Sequence, residues 1–171
     1  MRRSSFVPWL IAGLLAVVAG RSLVSGAHGD AGAPGSVAQA KVVRVVDGDT
    51  LIARLAGGRV ERVRLIGMDT PESVKPGVPV QCFALRASAA TKHLLTGRRV
   101  KLVQDVEARD RYGRLLAYVY REPDGLFVNE ALVRRGLARP YPFAPNTRFA
   151  GPIARLAGAA RTAGRGLWSA C

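Results

Sequence analysis

The sequence predicts an α+β domain that is mainly β: a five-stranded barrel with three helices, preceded by an N-terminal signal or anchor segment and a linker. Three observations predict it. Short β-branched runs separated by Asp-Gly and Gly-Gly turns fill the region from Lys41 to Ile66. A stretch with helical period follows the third run, and two further strand-like runs follow that helix. The chain has 171 residues, enough for one domain with a real core, and its 49% apolar content excludes a compositionally disordered chain.

Arg2 and Arg3 precede an uncharged apolar run from Phe6 to Gly20, which is 15 residues. That is the upper limit for a secretory core and short for a spanning helix. Ser25-Gly26-Ala27 supplies the small residues that a signal peptidase needs. Residues 1–27 therefore read as a signal peptide or, uncleaved, as a signal anchor through residues 6–20 with Arg2 and Arg3 in the cytoplasm. Either way the folded part is expected to be secreted or extracytoplasmic. Residues 28–38, rich in Gly, Ala and Ser, read as a flexible linker, and residues 39–171 as the domain.

Within the domain, Lys41–Val46, Thr50–Leu55 and Arg59–Ile66 form an antiparallel meander, with Val63 and Leu65 on one face and Arg62 and Arg64 on the other. Gly67 to Pro79 is a loop punctuated by three prolines. Gln81–Thr96 reads as a helix with Phe83, Ala87, Ala90 and Leu94 at core spacing and Gly97 as its stop. Val100–Val103 and Arg114–Tyr120 are two more strands, joined by the charged link Asp105–Gly113. Val128–Arg135 is a short helix ended by Gly136. A third helix starts near Gly151-Pro152 and runs to about Thr162, turning Ile153, Leu156 and Ala160 inward. Five strands with a helix after the third is the order of an OB-type barrel, a fold that commonly presents nucleic acid to one face.

The net charge of +14, from 26 basic and 12 acidic residues, points to a polyanionic partner, either nucleic acid or an anionic membrane. Membrane contact is expected only if the N-terminal segment stays attached. No protein partner is expected, and a monomer is the default. Cys82 and Cys171 are the only cysteines. In an exported chain they most simply form one disulfide, worth about 4–5 kcal/mol in the chain-entropy model; two buried free thiols are the alternative.

Two acidic clusters carry the chemistry. Asp47-Gly48-Asp49-Thr50 and Asp69-Thr70-Pro71-Glu72 each end a strand of the meander. Each alone reads as a turn whose side chains bond the local backbone. Together they repel unless a cation lies between them, and Ca²⁺ suits such carboxylate and carbonyl oxygens best. Few protein ligands imply weak binding, on the order of 10⁻⁴–10⁻³ M, as in extracellular calcium modules. Arg64 and Arg114 supply planar paired donors of the kind that a phosphoryl transition state needs. Tyr112, before Arg114, either covers a base or packs on the barrel lip.

Three stretches then carry a family resemblance: 45–50 (VVDGDT), 63–72 (VRLIGMDTPE) and 110–120 (DRYGRLLAYVY). Residues 128–138 (VNEALVRRGLA) and 166–169 (GLWS) continue it. In order and spacing the chain resembles the staphylococcal nuclease (thermonuclease) family over roughly Ala40 to Ser169. The resemblance implies an exported OB-fold hydrolase, an endonuclease that uses calcium to cleave DNA and RNA, single-stranded or denatured for preference, leaving 3′-phosphates. By matching position, Asp49, Asp69 and the backbone carbonyl of Thr70 would hold calcium, with Asp47 behind them. Glu72 would position the attacking water, and Arg64 and Arg114 would contact the scissile phosphate. Tyr112, Tyr141 and Arg111 would bind the nucleotide. Since every catalytic position is filled, the enzyme is favoured over a non-catalytic OB-fold module that only binds nucleic acid. The chain departs from the family pattern at Phe143, where a tyrosine is expected, at the stiff Pro140-Tyr141-Pro142, and at Ala84–Ala87, where a glutamate is absent.

Overall fold

A computed structural model describes residues 35–74 and 76–171. The expected signal or anchor segment, with its apolar run 6–20, and most of the expected linker lie outside the described residues. Among the described residues no helix is long and apolar enough to cross a membrane.

Five strands close into a barrel in the order β1–β2–β3–β6–β5, with β5 returning to β1. These are β1 (Val37–Val45), β2 (Thr50–Leu55), β3 (Val60–Leu65), β5 (Arg99–Val103) and β6 (Leu115–Arg121). All neighbours are antiparallel except β3 and β6. That is the OB topology expected from the order of the runs. Period-2 alternation fills the barrel: Leu51, Ala53, Val63, Leu65, Val100, Leu102, Leu115 and Ala117 are fully buried.

The first strand begins at Val37, two residues inside the range expected to be linker, because Val37 and Ala38 pair with Val103 and Leu102. A bulge at Val43 shifts its register against β2, so that Lys41 faces Arg54 and Arg44 faces Ile52. One inserted residue thus returns Arg44 to the outward face that Lys41 occupies.

Helix α1 (Ala84–Leu95) starts three residues later than the periodicity suggests. Gln81 and Cys82 are engaged elsewhere, and Phe83 sits at φ 69°, a left-handed conformation that keeps it out of the helix. Helices α2 (Val128–Arg134) and α3 (Ala150–Thr162) match the expected segments. The short α4 (Leu167–Ala170) and a two-stranded sheet of β4 (Gly67–Asp69) with β7 (Arg139–Tyr141) had no local periodicity to announce them. Asn129 joins these layers. It is fully buried, accepts from the Val119 amide at 2.9 Å and donates to the Ile66 carbonyl at 2.9 Å. The disulfide Cys82–Cys171 is formed, tying α4 to the residue before α1's entrance, and the described chain has no free cysteine.

The C-terminal segment crosses α2's end at Gly136, where φ is 67° and a Cβ would lie 2.0 Å from the Arg165 carbonyl oxygen. Gly136→Ala is therefore expected to destabilise the fold by roughly 2–5 kcal/mol, the sum of left-handed strain and a backbone clash. Gly125→Ala is the control, since Gly125 has φ 66° but nothing within 4 Å. Thermal unfolding of both checks the claim, and equal losses would refute it.

Candidate active site

The tight β1–β2 turn builds one wall of a cleft. Asp47 stabilises that turn by accepting the amides of Asp49 and Thr50 at 3.0 and 2.7 Å. So the bland reading of Asp47 as a turn residue holds, and its consequence is to aim Asp49 across the turn. The Asp49 carbonyl accepts from the Leu65 amide, which fixes the turn to the end of β3. Its side chain reaches the residue that follows β4: Oδ2 accepts the Thr70 amide at 3.0 Å and the Thr70 hydroxyl at 2.9 Å. Gly48 permits this approach, because a Cβ there would lie 2.5 Å from Thr70 Oγ1. Two turns that are separate in sequence are thus one structure.

Arg64 lies between the acids. Its Nη1 donates to Asp49 Oδ1 at 2.7 Å and its Nη2 to Asp69 Oδ1 at 2.5 Å, so the guanidinium bridges a buried carboxylate and a half-exposed one. Burial pushes the Asp49 carboxyl up to about 6, against the opposing pull of Arg64 and with help from Asp47 and Asp69. One arginine leaves these three acids under-neutralised.

The cleft has a volume of about 240 Å³ and is lined by Asp47, Asp49, Arg64, Asp69, Thr70, Pro71, Glu72, Val78 and Gln81. Glu72 enters from the loop after β4. Its Oε1 accepts the amides of Ser73 and Val74, both at 3.0 Å, which turns the side chain back over its own loop. Gln81 clamps the same residue from the far end of the loop: its Oε1 accepts the Glu72 amide at 2.8 Å, and its own amide donates to the Glu72 carbonyl at 2.9 Å.

The remaining expected residues are not among those that line this cleft. Arg114 stands one residue before the parallel pairing of β6 with β3, in which Leu116 is the partner of Arg64. Asp110 holds Arg114 by Nε–Oδ2 at 2.6 Å and also accepts its amide at 3.0 Å. Tyr112 is 67% exposed, with the guanidinium groups of Arg111 and Arg114 at 4.8 and 5.4 Å from its ring centre. Tyr141 is exposed, pairs with Gly67 of β4, and stacks on Phe143 with ring centres 6.3 Å apart and planes 6° from parallel. The loops carrying Tyr112 and Phe143 are latched together, Asn146 exchanging two hydrogen bonds with the backbone of Glu107.

Three contributors escaped the sequence reading: Gln81, Arg139 and Gly48 as spacer. Arg139 lies directly opposite Asp69 in the β4–β7 pair. Gln81 falls in the expected helix, which in the structure begins only at Ala84. No local pattern marks either residue, since both act through pairings across the fold.

Among the described residues no three acidic, histidine or cysteine side chains converge on one point. A cation entering the cleft could draw on the Asp49 and Asp69 carboxylates and the backbone oxygen of Thr70, all residues that line it. These are hard oxygen donors, and a second positive charge would relieve the buried Asp49; the residues therefore fit calcium.

Fold and cleft together define an OB-barrel protein whose acid–arginine cleft opens at the β1–β2 turn and β4. The family model described as Staphylococcal nuclease homologue matches residues 62–170, and the chain belongs to that family. Similar proteins include the Thermonuclease of Staphylococcus hyicus, 42% identical over 129 residues, or 75% of this chain and 75% of that protein. The Thermonuclease of Staphylococcus intermedius is 51% identical over 108 residues, 63% of this chain and 62% of that protein. Endonuclease YncB of Bacillus subtilis is 43% identical over 126 residues, 70% of this chain and 58% of that protein. The alignments thus span less than two thirds of the latter two relatives.

Proposed function

We propose that this protein is an extracytoplasmic, calcium-dependent nuclease that hydrolyses phosphodiester bonds in DNA and RNA and leaves 3′-phosphates. The observation that carries this reading is the Arg64 fork bridging Asp49 and Asp69 beside Glu72 in one polar cleft. The names of its relatives, Thermonuclease and Endonuclease, support it.

Asp49, Asp69 and the Thr70 carbonyl would hold calcium, which when bound supplies positive charge to the phosphate oxygens. Arg64 offers paired donors where charge develops on the phosphoryl group, and Arg114 offers a second planar fork held in direction by Asp110. Glu72 accepts a proton from the attacking water and orients it in line with the departing 5′-oxygen. Its position is set by the clamp to Gln81. Tyr112 and Arg111, in contact with each other, and Tyr141, stacked with Phe143, would hold the nucleotide. Denatured DNA incubated with calcium and then with a chelator tests the reading. Digestion that stops on chelation supports it, whereas binding without digestion in calcium would indicate a non-catalytic module.

The buried acid gives a second test. Between 3.8 and about 6 the folded protein holds the Asp49 proton while the unfolded chain does not. This group therefore favours folding at low pH, and that contribution declines as pH rises through about 6. Calcium needs the deprotonated form. At about 10 mM it should stabilise by about 1.4–2.7 kcal/mol near neutral pH, and by less near pH 5. Melting curves with and without calcium check this; a larger gain at the lower pH would sink it.

A further inference from the structure

The outward face of the barrel carries a basic row that the cleft does not use. Register places Lys41 of β1 directly between Arg54 of β2 and Arg99 of β5. Two residues further along β2, Ile52 separates Arg44 from Arg62 of β3. Along β3, Arg62 and Arg64 share this face, so the row leads from β5 across to the strand that bears Arg64 at the cleft.

Like charges directly opposite one another on neighbouring strands destabilise a sheet. Here Lys41 has one on each side, and Lys41, Arg44, Arg54, Arg62 and Arg99 are all exposed. Among the described residues none of the five has an acidic partner; Arg54 donates only to the Gly58 carbonyl of its own hairpin. The nearest acid in sequence, Glu61, is buried and holds Arg59 and Arg109 instead. Charged side chains often guard an open sheet edge, but this barrel is closed and has no such edge between these strands. The helices pack mainly on β1, β4, β6 and β7, and the side chains of the row stay exposed.

We propose that this row is a second binding surface, an exosite for the phosphate backbone of nucleic acid extending beyond the scissile bond. The inference rests on the nuclease reading and specifies how a long substrate is held. Charge complementarity and continuity with Arg64 favour nucleic acid. A lipid surface is disfavoured because β1, β2 and β3 contain no aromatic residue to anchor at a membrane interface.

The test is the full chain carrying Lys41→Ser, Arg54→Ser and Arg99→Ser, compared with the unmodified protein. Binding of single-stranded DNA of about 30 nucleotides in chelator should lose roughly 2 from its log–log salt slope, about 0.7 per lost phosphate contact. In calcium, KM for long denatured DNA should rise roughly tenfold near physiological salt, while kcat stays within about twofold. Hydrolysis of a thymidine dinucleotide should not change, and the melting temperature should hold or rise. An unchanged salt slope and KM would overturn the proposal, as would equal loss on long and short substrates. Weakened binding to phosphatidylglycerol vesicles with unchanged DNA binding would overturn it in favour of a membrane surface. If the unmodified protein cleaves neither substrate but the salt slopes still differ, the exosite stands and the nuclease reading falls.

Discussion

Replacing Arg64 by alanine is expected to lower kcat on denatured DNA by roughly 10³-fold or more. Removing a single pre-aimed donor from a developing oxyanion costs about 10²–10³-fold, and this side chain presents two. Arg64→Lys keeps the charge but not the planar fork, so it should restore stability more than rate. The same substitution has a second signature. Arg64 is the partner of a buried carboxylate, and its removal leaves Asp49 without its counter-charge. Losing one partner of a buried pair costs about 3–5 kcal/mol when the other stays charged. Since Asp49 already holds its proton up to about 6, Arg64→Ala should destabilise the calcium-free protein less near pH 5 than near neutrality. Steady-state kinetics with melting curves at both pH values check this. A folded variant with near-normal rate would remove Arg64 from the chemistry.

Glu72→Gln is the second large effect, about 10²–10⁴-fold in kcat, the range for a lost general base. Glutamine keeps the shape and can still accept from Ser73 and Val74, so the loop should stay in place. The calcium-dependent rise in melting temperature should persist, because Glu72 is not assigned to the cation. Gln81→Ala offers a graded comparison. It deletes the side-chain half of the clamp, and should lower kcat by roughly tenfold with little change in KM, as misplacement of a catalytic group does. If Glu72→Gln also abolished the calcium effect, the glutamate would belong to the cation rather than to the water.

Much of this was legible because barrel strands speak in local alternation. Val63 and Leu65 inward with Arg62 and Arg64 outward is a two-residue pattern, and the structure keeps it. The acidic turns were legible as turns, and their union was inferred from their both ending strands of one meander. What could not be read is what depends on distance. Gly48 reads as an ordinary turn glycine until Thr70 is seen against it. Gln81 reads as a helix residue, although its partner lies nine positions upstream across a proline-broken loop. The β4–β7 pair joins segments seventy or more residues apart, each too short to show a strand pattern. Arg114 reads as a strand residue, and its bond to Asp110, four positions upstream, shows only in the folded turn.

The Cys82–Cys171 bond has a topological consequence for a protein exposed to proteases. It closes a covalent ring containing every element from α1 to α4. A single cut in an exposed stretch inside that ring, near Tyr112 or Phe143, opens the ring but leaves one molecule. A cut between Ser73 and Val80 falls outside it and separates the segment bearing Asp49, Arg64 and Glu72 from the segment bearing Gln81 and Arg114. The short loop beside the cleft is thus the one place downstream of β4 where a single nick divides the chain in two, and it divides the site with it.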